Sequence, residues 1–183
     1  MPVDDARPQV LTVGHSTHSI ERFVELLREA GVARVIDIRK LPGSRRFPQF
    51  DADALADSLR SAGIGYEREE RLGGLRSAST ATDPEVNGFW RNASFHRYAD
   101  YAMTGEFRDG LRRVRELASA DAPPALMCAE AVWWRCHRRI VADHLVAQGV
   151  RVAHLMPDGR VQPADLTPGA RLAGDGAVSY PAD

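Results

Sequence analysis

One segment of the chain constrains the fold more than any other. Residues 125–129 (ALMCA) form a short apolar run, and the stretch that follows, residues 130–135, is rich in charged and aromatic side chains. From Cys136 onward apolar residues recur at helical spacing, with Ile140 and Leu145 on one face. A buried strand that leads through a tight loop into an amphipathic helix is typical of an open α/β sheet.

The same alternation of apolar and amphipathic segments runs through most of the chain. Besides residues 125–129, strands are predicted at residues 10–13, 35–39, 64–66 and 152–155. This pattern predicts a single α/β domain with a mostly parallel five-stranded sheet and helices on both faces, a three-layer sandwich like Rossmann or flavodoxin folds. We expect the strand order 3-2-1-4-5, which makes the first and fourth strands neighbours.

Two regions depart from this alternation. Residues 68–94 lack periodicity, and a connection of that length is typical of a binding loop or lid, with Gly73 and Gly74 as a hinge and Phe89 and Trp90 as a cover. Gly and Pro are frequent beyond Met156. We therefore expect the domain to span residues 1–156 and residues 157–183 to be an irregular C-terminal tail.

Composition narrows the class of protein. Hydrophobic residues make up 44%, charged residues 27%, and the net charge is −1, as expected for one globular domain. The chain has no apolar run of about 18 residues that could cross a membrane. Residues 1–7 (MPVDDAR) do not resemble a signal peptide. Two cysteines are too few for a disulfide scaffold, so we expect a cytoplasmic protein.

Polar residues follow several of the predicted strands, at the edge where open α/β sheets bind ligands. His15 and Ser16 follow the first strand, and Asp37 and Arg39 end the second. We expect these side chains to meet Glu130 and the start of the last amphipathic helix in one crevice. Because a helix N-terminus favours anions, the crevice is predicted to bind an anionic ligand.

Arginines strengthen the expectation of an anionic ligand. Residues 34–50 contain four arginines and Lys40 against Asp37 alone. Arg45 and Arg46, beside Phe47 and Phe50, could bind a phosphate and stack a base, which leaves a nucleotide or nucleic acid open as a partner. They could equally form a solvated loop.

The cysteines and carboxylates suggest alternative chemistries. Cys136 lies at the start of a helix beside three arginines, Arg135, Arg138 and Arg139, which favours a reactive thiolate, although the adjacent His137 need not reach its sulfur. Cys128 is expected to be an inert apolar residue at the end of a strand. Without glycine between Cys128 and Arg135, a phosphatase- or rhodanese-like loop is only an analogy. No metal-ligand spacing occurs, so no metal or other cofactor is expected.

Several of these motifs together resemble a known family. They are residues 12–17 (TVGHST), 35–39 (VIDIR), 44–50 (SRRFPQF), 72–74 (LGG), 98–101 (YADY), 128–130 (CAE) and 135–138 (RCHR). In this order and spacing, over residues 10–156, the chain resembles the bacterial and archaeal family called domain of unknown function 488. The resemblance implies a single α/β domain and assigns no reaction.

We expect an enzyme that acts on an anionic, phosphorylated or nucleotide-like small molecule. Its predicted catalytic residues are Glu130, His15, Asp37 and Cys136. Its predicted substrate-binding residues are Ser16, Arg39, Arg45, Arg46, Trp134, Arg135, His137, Arg138 and Tyr101. Because Glu130 is held closer to the sheet, we expect it to be essential and Cys136 to be supporting. A nucleotide- or nucleic-acid-binding module, a thiol-dependent transferase that uses Cys136 or Cys128, and a purely structural domain are the alternatives.

Overall fold

The computed structural model describes residues 6–183, so residues 1–5, on which the expectation about a signal peptide largely rests, lie outside it. The strands are β1 (Val10–Gly14), β2 (Arg34–Asp37), β3 (Gly65–Arg68), β4 (Pro124–Cys128), β5 (Val152–Leu155), β6 (Val161–Pro163), β7 (Arg171–Leu172) and β8 (Val178–Ser179). The helices are α1 (Ile20–Glu29), α2 (Ala52–Ser61), α3 (Ala93–Tyr101), α4 (Gly105–Leu117) and α5 (Arg138–Ala147).

The main sheet has six strands in the order β3-β2-β4-β1-β5-β6. All pairs are parallel except that of β5 with β6. The predicted α/β class is therefore confirmed, and β1 and β4 are neighbours as expected. The predicted order 3-2-1-4-5 is wrong, because β4 lies between β2 and β1 and β5 lies beyond β1. Both β1 and β4 are buried at every residue, so their hydrophobic patterns gave no means of ordering them.

Helices cover both faces of this sheet. Successive strand residues point to opposite faces, so Leu126 packs in the cluster that contains helices α3, α4 and α5, whereas Met127 packs in the cluster with α1 and α2. Helix α1 buries Phe23 and Leu27, and Ser19 caps its N-terminus, where the Ser19 hydroxyl accepts a bond from the Arg22 amide. Burial of each large side chain stabilises the fold by about 1.5–3 kcal/mol.

The C-terminal segment is ordered, contrary to the expectation of an irregular tail. Strand β6 extends the main sheet, and β7 and β8 form a separate hairpin. Tyr180 is fully buried, and its hydroxyl donates a 2.7 Å hydrogen bond to the Asp143 carboxylate of α5. Its backbone amide donates to the Asn87 side chain. These long-range contacts order a segment whose own composition is typical of loops.

The connection between β3 and α3 is only partly a free loop. Hydroxyls of Tyr98 and Tyr101 donate to the carbonyls of Leu72 and Arg71, which fixes the start of the connection. Trp90 is buried and packs against Phe95 and Tyr180, so it belongs to the core. The prediction that Trp90 covers the crevice is therefore wrong. Within residues 6–183, none of the helices combines the length and the apolar character needed to span a membrane.

Candidate functional site

A pocket of about 560 Å³ opens at the carboxyl ends of β2 and β4, beside the start of α5. Its ionisable lining includes three cationic residues, Arg39, Lys40 and Arg135, together with Glu130 and His137. Cys128 and Cys136 also line it, with only 3% and 4% of their surfaces exposed. Its place at the strand carboxyl ends is where ligands bind in sheets of this kind.

A larger depression, of about 1000 Å³, lies between α1 and α2 and holds no comparable chemistry. Its main charged residue, Arg22, already pairs with Glu25 and Glu29 on the helix surface. We therefore locate the candidate site in the pocket at the strand ends.

The two cysteines form a close pair beside this pocket. Cys128 ends β4, and Cys136 follows a short 3-10 turn at residues 133–135, so the loop folds the second sulfur back over the first. The two Sγ atoms are 2.7 Å apart and share a hydrogen bond, with both cysteines free. Cys128 thus lines the pocket in contact with Cys136, and the expectation that it is an inert apolar residue stays a prediction.

Arg138 supplies the positive charge of this pair. Its side chain is 1% exposed, and its Nη1 atom donates to Cys128 Sγ at 2.8 Å and to the Glu130 carbonyl at 3.0 Å. No carboxylate within residues 6–183 pairs with it. A guanidinium remains charged in proteins, and burial without a countercharge costs several kcal/mol. The two sulfurs are the groups that Arg138 meets in place of a carboxylate, so ionisation of one thiol would supply that countercharge.

The pKa values of the two thiols differ in direction. Burial opposes ionisation of Cys136, but its hydrogen bond with Cys128 and the charge of Arg138 outweigh burial and lower its pKa. Burial and the neighbouring Cys136 raise the pKa of Cys128 well above its usual value. Arg138 Nη1 is nearest to Cys128, yet the lowered pKa belongs to Cys136, whose sulfur also accepts a bond from the Arg138 backbone amide. The pair loses its first proton at a lowered pKa and its second only with difficulty.

The beginning of α5 adds further contacts to Cys136. The Arg138 backbone amide donates to Cys136 Sγ at 3.5 Å, and His137 Nδ1 is 3.6 Å from the same sulfur. The imidazole therefore does reach the sulfur, contrary to what adjacency along the chain suggested. Burial lowers the pKa of His137, which keeps it neutral at physiological pH. A Cβ on Gly74 would lie 3.1 Å from His137 Nδ1, so a glycine lets this loop approach the ring.

Asp37 is turned away from the pocket and is fully occupied. Its carboxylate accepts two bonds from the Arg39 guanidinium, at 2.7 and 2.9 Å, and one from the Tyr66 hydroxyl at 2.7 Å. It is completely buried and does not line the pocket. The predicted catalytic role of Asp37 has no geometric support, because no lone pair is directed at a ligand. Its contacts instead hold Arg39 at the pocket wall.

His15 also acts on Arg39 rather than on the pocket. Its Nδ1 is 2.9 Å from the Ser16 carbonyl, and its Nε2 is 3.4 Å from Arg39 Nη1. The ring stacks on Phe50 at 4.2 Å, and burial, together with the charge of Arg39, lowers its pKa. A neutral ring with both nitrogens engaged is suited to orienting Arg39.

Glu130 lies at the exposed mouth of the pocket. Its carboxylate makes no hydrogen bond or ion pair with any residue in the range 6–183, although its charge acts to raise the pKa of Cys136. Its backbone is more constrained than its side chain. A Cβ on Gly14 would overlap the Glu130 carbonyl oxygen, the same oxygen that accepts from Arg138. Gly14 is required there so that the loop can cross β1.

Six predicted binding residues are outside the pocket lining, namely the buried Arg138 and five others. Ser16 donates its amide to the Ala129 carbonyl, and Tyr101 binds the Arg71 carbonyl and stacks under Arg76. Arg45, Arg46 and Trp134 have exposed side chains that do not line the pocket. These arginines were expected at the site as part of the basic patch of residues 34–50. The loop that carries them packs Phe47 and Phe50 against His15 and leaves both arginines exposed, outside the pocket lining.

The pocket also contains residues that the sequence analysis did not assign. Lys40 contributes a cation, Tyr98 an aromatic wall, and Leu41 and Leu75 an apolar rim. Tyr98 belongs to the YADY motif and Lys40 directly follows VIDIR, so motif position was the signal that could have identified them. Among residues 6–183, no three His, Cys, Asp or Glu side chains are grouped as metal ligands.

Comparison with known proteins identifies the family. The family model for domain of unknown function DUF488 matches residues 19–145. The chain belongs to the DUF488 family. The match includes β2, β4, the loop with both cysteines and most of α5, and hence the whole wall that carries the thiol pair. No curated protein and no solved structure gives a significant match.

Proposed function

We propose that this DUF488 protein is an enzyme that uses the thiolate of Cys136 to attack an anionic small molecule bound in the pocket. The observation that carries the proposal is the buried Arg138 guanidinium, which has sulfur and carbonyl oxygens as its only partners within residues 6–183. An ionised thiol beside a fixed cation and a helix N-terminus is the reactive form of cysteine.

The charges at the pocket mouth support an anionic substrate. Lys40 and Arg135 are exposed lining residues, and neither forms an ion pair within the described part of the chain. Asp37 already neutralises the charge of Arg39, so Arg39 contributes N–H donors to the pocket rather than net charge. Lys40 and Arg135 together exceed the single carboxylate, Glu130, by one positive charge.

This proposal reverses the expected order of importance of Glu130 and Cys136. The Glu130 carboxylate is exposed and unconstrained, whereas Cys136 is held by a backbone amide, an imidazole and a second sulfur. Catalysis benefits from groups held in one geometry by their neighbours. Cys136 is therefore the nucleophile, and the charge of Glu130 acts to raise the pKa of its thiol.

The test has two parts. The thiol pKa values of wild type and Cys136→Ser are measured by ultraviolet thiolate absorbance during a pH titration. Turnover is then measured with glutathione disulfide, thiosulfate plus cyanide, and an aryl phosphate, which represent disulfide exchange, sulfur transfer and phosphoryl transfer. We expect one thiolate at neutral pH in the wild type, together with turnover of one of these substrates that Cys136→Ser abolishes. A wild-type protein whose thiols ionise only above the usual cysteine pKa of about 8.5 would contradict the proposal.

A further inference from the structure

The second cysteine is unexplained if Cys136 acts alone. A nucleophile needs one sulfur, yet Cys128 Sγ is 2.7 Å from Cys136 Sγ, inside the same buried pair. Its place at the end of β4, paired with β1 and β2, holds that sulfur on the rigid sheet. A second thiol in contact with a nucleophilic sulfur can displace whatever that sulfur has bound through a disulfide.

The loop between the cysteines is poorly suited to oxyanion transfer. Two of its amides are used within the 3-10 turn, where Arg135 N donates to the Val132 carbonyl and Cys136 N to the Trp133 carbonyl. No glycine occurs between Cys128 and Arg138. The amides of Arg135 and Cys136 are therefore not free to bind a phosphoryl group or a similar oxyanion.

We propose that Cys128 is a resolving thiol and that the protein is a dithiol–disulfide oxidoreductase for small anionic disulfides. This inference rests on the nucleophilic role proposed for Cys136. In the first step the Cys136 thiolate attacks one sulfur of the substrate R–S–S–R, which forms a mixed disulfide and releases one RS⁻. In the second step Cys128 attacks Cys136 Sγ, which forms the Cys128–Cys136 disulfide. The second RS group leaves with the proton that Cys128 loses, so two thiols are oxidised and one disulfide is reduced.

Arg138 assists the second step. Cys128 must lose its proton as it attacks, and the Arg138 Nη1 atom at 2.8 Å faces the sulfur on which that charge develops. Burial otherwise opposes ionisation and raises the pKa of Cys128. Arg138 is therefore a positioning and electrostatic residue for the resolving thiol.

The pocket mouth suits an organic disulfide with acidic groups. Leu41 and Leu75 line it with 72% and 75% of their surfaces exposed, next to the cations Lys40 and Arg135. An apolar rim beside two cations that form no ion pair within residues 6–183 matches a carbon skeleton that carries carboxylates. Hydrogen peroxide has neither a carbon skeleton nor a charge, so it would need neither the apolar rim nor the cations.

The experiment uses the reduced full-length protein and glutathione disulfide as the probe, with intact mass and free-thiol counts followed over time. Wild type should pass through one glutathione adduct and end about 2 Da lighter than the reduced protein, with both thiols lost and none of the adduct retained. Cys128→Ser should stop at one stable adduct on Cys136. Cys136→Ser, the matched control that retains the other sulfur, should remain largely unmodified. Circular dichroism establishes that both variants are folded.

The outcomes separate this inference from the proposed function. A wild type that ionises one thiol at neutral pH but keeps a stable glutathione adduct would refute the resolving role and leave the nucleophile intact. Absence of a neutral-pH thiolate refutes both. If a serine variant fails to fold, the wild-type time course alone still decides, because persistence of the adduct overturns the proposal and conversion to the intramolecular disulfide supports it.

Discussion

Replacement of Arg138 by methionine tests the physical basis of the site most directly. Methionine has similar length and no charge, so Arg138→Met removes the cation from the thiol pair while largely filling its volume. Two carbonyl oxygens, those of Glu130 and Ala131, also lose their donor. Each buried acceptor left unpaired costs about 1–3 kcal/mol. Because methionine does not need a buried countercharge, we expect a folded variant with a modest net loss of stability.

The separation of charge sets the size of the effect on the thiolate. At the 2.8 Å between Arg138 Nη1 and Cys128 Sγ, two unit charges at an effective dielectric constant of 20 attract by about 6 kcal/mol. The charge is shared by both sulfurs, and solvation changes offset part of this attraction, so we expect about half to remain. Loss of this remaining attraction in Arg138→Met raises the first thiol pKa by about two units, at 1.36 kcal/mol per unit.

The assay compares ultraviolet titration of the thiolate with the rate of alkylation by iodoacetamide at neutral pH. A rise of two pKa units lowers the thiolate population by up to about 100-fold. The remaining thiolate is more basic, which raises its intrinsic nucleophilicity about tenfold. The observed rate should therefore fall about tenfold.

Arg139→Met provides the matched control. It removes a guanidinium from the same helical turn, but Arg139 binds the Thr167 hydroxyl and lies over the rings of Trp90 and Trp133, away from the sulfurs. Its thiol titration should match wild type. If Arg138→Met is folded and its titration curve superimposes on that of wild type, Arg138 does not hold the thiolate and the assignment of charge is wrong.

Three further predictions concern other parts of the molecule. Glu130→Gln should lower the Cys136 pKa slightly and change its alkylation rate by less than about fivefold, since an exposed charge contributes at most about 1 kcal/mol; complete loss of turnover with an unaltered thiolate would instead favour carboxylate chemistry. His144 has a pKa lowered to about 4 by burial, so the folded state binds fewer protons than the unfolded state and stability declines as pH falls from about 6.5 to about 4. His144→Leu should remove up to about 3 kcal/mol of that decline in urea titrations, and an unchanged slope would argue against it. Tyr180→Phe should lower the free energy of unfolding by about 1–3 kcal/mol through the lost bond to Asp143, and a smaller effect would mean that the C-terminal segment docks mainly through apolar contacts.

Local patterns were enough to predict the class of fold and the edge of the sheet that carries the site. The apolar run that ends at Cys128 and the helical spacing after Cys136 describe one strand and one helix, because burial imposes periods of two and 3.6 residues on these elements. The carboxyl ends of parallel strands meet at one edge, so the gathering of Arg39, Glu130 and Arg135 at that edge followed from the strand assignments alone.

Strand order and the roles of individual side chains depended on the tertiary structure. β1 and β4 are equally buried, so nothing local distinguishes their positions in the sheet. The tail after Met156 contains few features of regular structure, yet Tyr180 is fixed by Asp143 and Asn87, partners 37 and 93 residues away. Contacts over such separations leave no periodic trace in the chain.

The thiol pair shows the same division most clearly. The sequence alone establishes that two cysteines flank a loop followed by arginines, which already suggests a reactive thiol. It does not specify which arginine is buried, which carboxylate is already paired, or whether two sulfurs eight residues apart touch. Those facts depend on the path of the loop across Gly14 and on burial. Together these bring Arg138 to the sulfurs with no carboxylate partner among residues 6–183, while Asp37 pairs with Arg39.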